Sequence, residues 1–278
     1  MVAKNRVELT KKITARLFIG LVLALLYLPL VWIVIFSFSD SVNMRVFGDF
    51  TFRFYGELFT GENSGAILSA LGYTALIATI AATVATILGT MAAIGLNSMK
   101  NRRLKRVYSD TSQVPMINAD KVTAVSLVLL FVFIRTSFGI SGNIALVSLI
   151  IAHITFCVPY VILSVMPRFA NMDNNLYEAA LDLGATPKQA VVKVILPQLL
   201  PGIIVGFVMS FTLSIDDFII SYFHVDDFNT LSTYIYTQMH GRAASLPPEM
   251  RALSSLLFLI ILGILVAINV KNSKKRTA

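Results

Sequence analysis

The sequence predicts an all-α polytopic membrane protein with six transmembrane helices. Of its 278 residues, 56% are hydrophobic and only 14% are charged, with a mean hydropathy of +0.76. A water-soluble domain is about 45–50% apolar and about a quarter charged. Six apolar runs approach the ~20 residues that an α-helix needs to cross the hydrocarbon. Lysine and arginine gather in alternate connecting segments, the bias that sets orientation.

In chain order the runs are Leu17–Phe38, Ala66–Leu96, Val107–Ile134, Asn143–Val165, Gln198–Phe223 and Leu253–Val270. The first reads as a retained span: its apolar part is too long for a cleaved leader, and Phe36–Ser41 offers no small-x-small site. Residues 1–16 and 271–278 are expected as tails of one membrane domain, 17–270, with no soluble domain. Seventeen Lys and Arg fall on one side: five in the N-terminal tail, five over Lys100–Arg106, three after the fourth run (Arg168, Lys188, Lys193) and four after Val270. The other side has five, Arg45, Arg53, Arg135, Arg242 and Arg251. The positive-inside rule places both termini and segment 175–197 in the cytoplasm. The net charge of +8 is thus a topology signal, which argues against a nucleic-acid partner.

The one cysteine, Cys157, excludes an intramolecular disulfide and a cysteine-rich metal site, and reads as a small buried hydrophobe. No Gly-x-x-x-x-Gly-Lys-Ser/Thr loop occurs, so the chain is not expected to bind ATP. Small residues recur every fourth position, at Gly202, Gly206, Ser210 and Ser214 and at Ala78, Ala82, Thr86 and Thr90. Such rows let helices approach closely in lipid, here within the chain.

The polar stretch Glu178–Gly202 between two spans is the most informative. Asn175 is expected to cap a short helix, with Glu178 closing a capping box. Ala179 and Ala180 leave that helix shallow enough for a partner. Gly184 supplies a left-handed residue to end it. Thr186 caps a second helix, with Pro187 at its first position and Gln189 completing the box. Pro197 and Pro201 are expected to interrupt or kink the run into the fifth span.

The string Glu178, Ala179, Ala180, Gly184, Val194, Leu196, Pro197 resembles the EAA motif of ABC importer permeases, with Val194 where Ile is usual. The resemblance implies a type I importer (MetI-like) permease fold, with this segment as the coupling helix in a groove of a separate ATPase. Glu178, Ala179, Ala180, Gly184, Leu196 and Pro197 would carry the coupling.

Ionisable groups inside spans are costly and usually face a cavity or a partner. Asp120 lies 13 residues into the third run, about 20 Å deep at 1.5 Å per residue. Asp216 and Asp217 lie near the outer end of the fifth; neighbours on a helix point about 100° apart, so one faces a path while the other caps, pairs or meets the interface. Three acids and few bases suggest a path for a cation, with ammonium hydrogen bonds and cation–π contact from Phe54 or Tyr222; equally, the acids only pair or mark the water interface. His153 suits either a proton relay or a hydrogen-bonded interior. Trp32 reads as packing, and Asp226 and Asp227 as a solvated loop with room for a binding protein.

Pro115–Leu130, Phe211–Phe223 and Phe50–Tyr55 look like matching segments of the spermidine/putrescine permeases, over nearly the whole chain. That resemblance implies the second permease of a non-identical pair, with Asp120, Ser214, Asp216, Asp217 and Phe54 along a polyamine path. It implies as partners a second permease, two copies of an ATPase carrying ATP and Mg, and an extracytoplasmic polyamine-binding protein. Phe54 stands where Trp is frequent, Lys121 where an apolar residue is usual, and Ala124 where Gly is common. Alternatives are a permease for another cationic or metal-complex substrate, and an ion-coupled secondary carrier. A carrier would leave the EAA string without a task and commonly shows inverted repeats, which are not seen.

Overall fold

Apolar length and the position of prolines and glycines set the elements. The computed structural model describes residues 2–41, 44–99, 101–117, 120–139, 144–173, 175–224, 228–240 and 246–276, without the side chains of 2–13, 115, 117, 120, 261 and 264–276. Among the described residues the regular structure is helical, apart from one antiparallel bridge between Ser39 and Phe50. The helices are α1 (Val2–Phe36), α2 (Arg53–Thr60), α3 (Ser64–Ser98), α4 (Arg102–Ile117), α5 (Asp120–Phe138), α6 (Ala145–Ala170), α7 (Leu176–Asp182), α8 (Pro187–Ala190), α9 (Leu196–Asp216), α10 (Ile219–His224), α11 (Leu231–Met239) and α12 (Pro248–Arg276). A π-helical turn, Val191–Ile195, joins α8 to α9.

Five stretches are long and apolar enough to cross a membrane among the described residues: Thr14–Phe36, Ser64–Ser98, Lys121–Phe138, Ala145–Ala170 and Pro187–Asp216. The sixth expected span, Leu253–Val270, lies in α12, where side chains 261 and 264–270 are outside the described set.

The third run, Val107–Ile134, is covered by α4, whose sequence is mostly polar (RRLKRVYSDTSQVPMI), up to Ile117 and by α5 from Asp120, with 118–119 and the Asp120 side chain outside the described set. The fifth span departs from expectation. The fifth run stops at Asp216, because Asp217 adopts extended backbone (φ −67°, ψ 125°), and α10 starts anew at Ile219.

The chain divides into two compact units, Met1–Leu68 with Ile235–Ala278, and Ser69–Tyr234. In the first, α12 packs on α1 and α2. Arg251 at the start of α12 is fully buried and donates to the Phe36 carbonyl at 3.2 Å, at the end of α1, alongside the Ser39 N–H at 3.3 Å. The Ser37 hydroxyl meets Tyr55 Oη at 2.7 Å and Ser255 Oγ at 3.2 Å, tying α1, α2 and α12 together.

In the second unit α6 is central. Its Ala152, Cys157, Val161 and Val165 are fully buried, against Leu199 of α9 and Ala85 and Ala93 of α3. The row predicted on the fifth span forms this seam. A Cβ at Gly202 would meet Arg168 Cγ at 2.7 Å and the Ser164 carbonyl at 2.8 Å; one at Gly206 would meet Val161 Cα at 3.2 Å. One and two turns on, Cys157 Sγ contacts the Ser210 carbonyl at 3.5 Å and His153 meets Ser214. Lipid supplies no hydrophobic drive between helices, so this close backbone packing holds them. Gly89 brings α3 as near, its Cβ position 2.6 Å from Val161 Cβ.

Candidate functional site

Two places carry the functional residues, and one helical run connects them. The first is the segment from α7 to α9. Gly184 has φ +85°, and the bonds Gly184 N–H to Leu181 O (2.9 Å) and Ala185 N–H to Ala180 O (3.0 Å) form a Schellman motif ending α7. Thr186 starts α8 with both halves of the capping box: Thr186 N–H donates to Gln189 Oε1 (2.9 Å) and Gln189 N–H to Thr186 Oγ1 (3.3 Å). The box expected at Asn175 and Glu178 does not form. Asn175 has helical backbone (φ −85°, ψ −9°) and makes no side-chain cap bond, while its N–H donates to Asp173 Oδ1 at 2.9 Å. Helical geometry at Asn175 denies it the extended backbone that lets a capping side chain reach back.

Glu178 and Ala179 are exposed, whereas Ala180 is buried and faces inward, so only one of the two alanines offers a docking surface. Leu183, not singled out in the sequence, is 89% exposed beside them. Pro197 and Pro201 do not break the run. Pro197 has no N–H and its ring crowds the carbonyl four residues back. The turn before it widens, with Leu196 N–H bonding to Val191 O, five residues back. Helical backbone thus continues from Pro187 to Asp216.

The second place is where that run ends. Asp216 is exposed. Asp217 has an 8% exposed side chain and caps α10, accepting from Ile220 N–H (3.3 Å) and Ser221 N–H (2.9 Å). Its carbonyl accepts from Ser232 Oγ at 2.7 Å. His153 of α6, 1% exposed, lies between: Nδ1 is 2.7 Å from Ser214 Oγ, and Nε2 is 3.5 Å from Asp217 Oδ2 and 3.4 Å from Ser221 Oγ. A carboxylate only accepts, which puts the ring hydrogen on Nε2 and makes the Ser214 hydroxyl the donor to Nδ1. The structure therefore brings Ser214 and Asp217 together through His153 and leaves Asp216 outside the cluster. His153 read in sequence as an interior residue; its partnership with Ser214 was foreshadowed only by the small-residue row that sets the α6–α9 register.

Phe54 lies on α2 in the other unit and is partly buried. Its chain neighbours Phe52 and Tyr55 join an aromatic cluster around Phe38, which stacks with Phe50 (5.5 Å) and Tyr55 (5.3 Å) and has Phe52 edge-on at 5.3 Å. Lys121 is exposed at the start of its span. Asp226 and Asp227 lie outside the described residues. Among the described residues no cluster of three His, Cys, Asp or Glu could hold a metal.

The profile of the binding-protein-dependent transport system inner membrane component family matches residues 85–278. This chain belongs to that family. Its members are transport components of the membrane, not enzymes, and this chain is a multi-pass permease of the ABC importer type. Among relatives, the putrescine transport system permease protein PotI of Escherichia coli K12 is 34% identical over 84% of this chain and 81% of its own. The spermidine/putrescine transport system permease protein PotC of Haemophilus influenzae is 33% identical over 90% and 92%. The crystal structure of an amino acid ABC transporter superposes with a TM-score of 0.52 at 20% identity, covering 77% of this chain and 97% of that one, which shows the MetI-like fold.

Proposed function

We propose that this chain is one of two non-identical permeases of an ATP-driven importer for polyamines, spermidine or putrescine. The observation that carries it is the unbroken helical run Pro187–Asp216. One end is a rigidly capped hairpin presenting Glu178, Ala179 and Leu183; the other bears an exposed carboxylate, Asp216. A push on the hairpin moves a stiff rod, and that rod ends where a cation would bind. The names of the relatives support the substrate class. Ammonium groups of a polyamine find in Asp216 a charge-assisted hydrogen-bond acceptor. The family resemblance assigns Asp120 and Phe54 to the polyamine path, and Ser214 and Asp217 hold the end of α9 next to Asp216.

ATP and Mg2+ are bound by two copies of a partner ATPase, whose closure moves α7 and α8. An extracytoplasmic binding protein delivers the polyamine, and the two permeases share the path. Both termini and segment 175–197 lie in the cytoplasm, as the basic residues favour. The test is ATP-dependent uptake of labelled putrescine and spermidine by the complete reconstituted complex. Uptake of a different cation or a metal complex, with neither amine carried, would overturn the substrate class and leave the permease role standing.

A further inference from the structure

We infer that His153 is a positioning residue for transport: it clamps the break between α9 and α10, and so divides the labour of two adjacent aspartates. Asp216 is left to meet the cation, while Asp217 is a structural anchor. This rests on the polyamine-permease reading for its substrate, but not for its geometry. His153 touches both sides of the break from a third element. Ser214 (2.7 Å) is in the last turn of α9; Asp217 (3.5 Å) and Ser221 (3.4 Å) are the cap and first turn of α10. Asp217 has its oxygens engaged by two backbone N–H groups and the ring, with little exposure left for a substrate. The clamp sits on a close seam, because α6 and α9 approach at Gly202 and Gly206 too nearly to admit a Cβ without a shift. His224, at the end of α10, bonds its own helix through Nδ1 to Ile220 O (2.9 Å), so it cannot replace His153 by that nitrogen.

The experiment uses the complete importer in proteoliposomes, with every rate normalised to assembled complex. Losing an oriented charge-assisted contact amounts to roughly tenfold in affinity. His153→Ala is expected to raise the putrescine KM about tenfold with little change in Vmax. His153→Gln, which keeps a donor, should recover most of it. In an Asp216→Asn background His153→Ala should add no further rise, since its effect passes through Asp216. A purely packing role would instead lower the amount of assembled complex and leave its KM untouched, which would overturn the inference; so would effects that add. Should the wild-type complex carry neither amine, the substrate reading fails, and a second readout still decides this one. In a Cys157→Ala background, Asp216→Cys is labelled with a cationic methanethiosulfonate. A rate changed severalfold by His153→Ala and restored by His153→Gln supports the clamp; an unchanged rate overturns it.

Discussion

Asp216 and Asp217 carry the same side chain in consecutive positions, and the backbone between them decides their roles. Helix at Asp216 and extended chain at Asp217 turn one carboxylate outward and the other onto the N–H groups of α10. Losing such a cap costs about 1 kcal/mol. Asp217→Ala is therefore expected to lower the melting temperature of the detergent-purified complex by a few degrees, and Asp216→Ala to leave it unchanged while weakening uptake. Equal effects on melting would contradict the separation. The sequence showed that two adjacent acids could not serve one purpose. It did not show which was which, because that depends on where α9 stops, and no proline or glycine marks that point.

At the scale of elements, local capping chemistry was legible where it is self-contained. Gly184 and the Thr186–Gln189 box sit where the residue types require them, because each uses only neighbours within five positions. The box that Asn175 and Glu178 suggest does not form, since the Asn175 backbone is helical and Asp173 serves that N–H. The π turn at Val191–Ile195 was announced only as a proline effect; how the helix absorbs Pro197 is a choice between kink and widening that sequence alone leaves open. Gly184→Val forces a β-branched residue into the left-handed region, at about 1–2 kcal/mol or more. Transport coupling is expected to fall while insertion persists, measured as uptake against the quantity of permease in the membrane. Gly206→Leu drives a side chain into Val161 across the α6–α9 seam. Overpacking costs roughly 1–3 kcal/mol, and the expected result is poor assembly, read by the yield of intact complex; normal yield would show that the seam is not tight.

For the whole molecule, composition and basic-residue bias were enough to place the chain in a membrane, and the EAA string was enough to place it among importers. The family match and the relatives agree with both. Neither signal reaches the packing of α6 against α9, which arises from contacts between residues far apart in sequence, such as His153 and Ser214, 61 positions apart. Coupling is a property of the assembly. Glu178→Lys reverses a charge on the exposed face of α7 without touching the core, so the complex should assemble and bind substrate but lose substrate-stimulated ATP hydrolysis. Normal stimulation would remove Glu178 from the coupling surface. The central claim is that an ATP-driven machine moves a polycation past the end of α9. It is tested most directly by uptake of radiolabelled spermidine and putrescine into proteoliposomes holding the complete complex, wild type against Asp216→Asn/Asp217→Asn. ATP-dependent uptake that collapses in an assembled double variant is the predicted result. An assembled, ATP-hydrolysing wild-type complex that carries neither amine would contradict it.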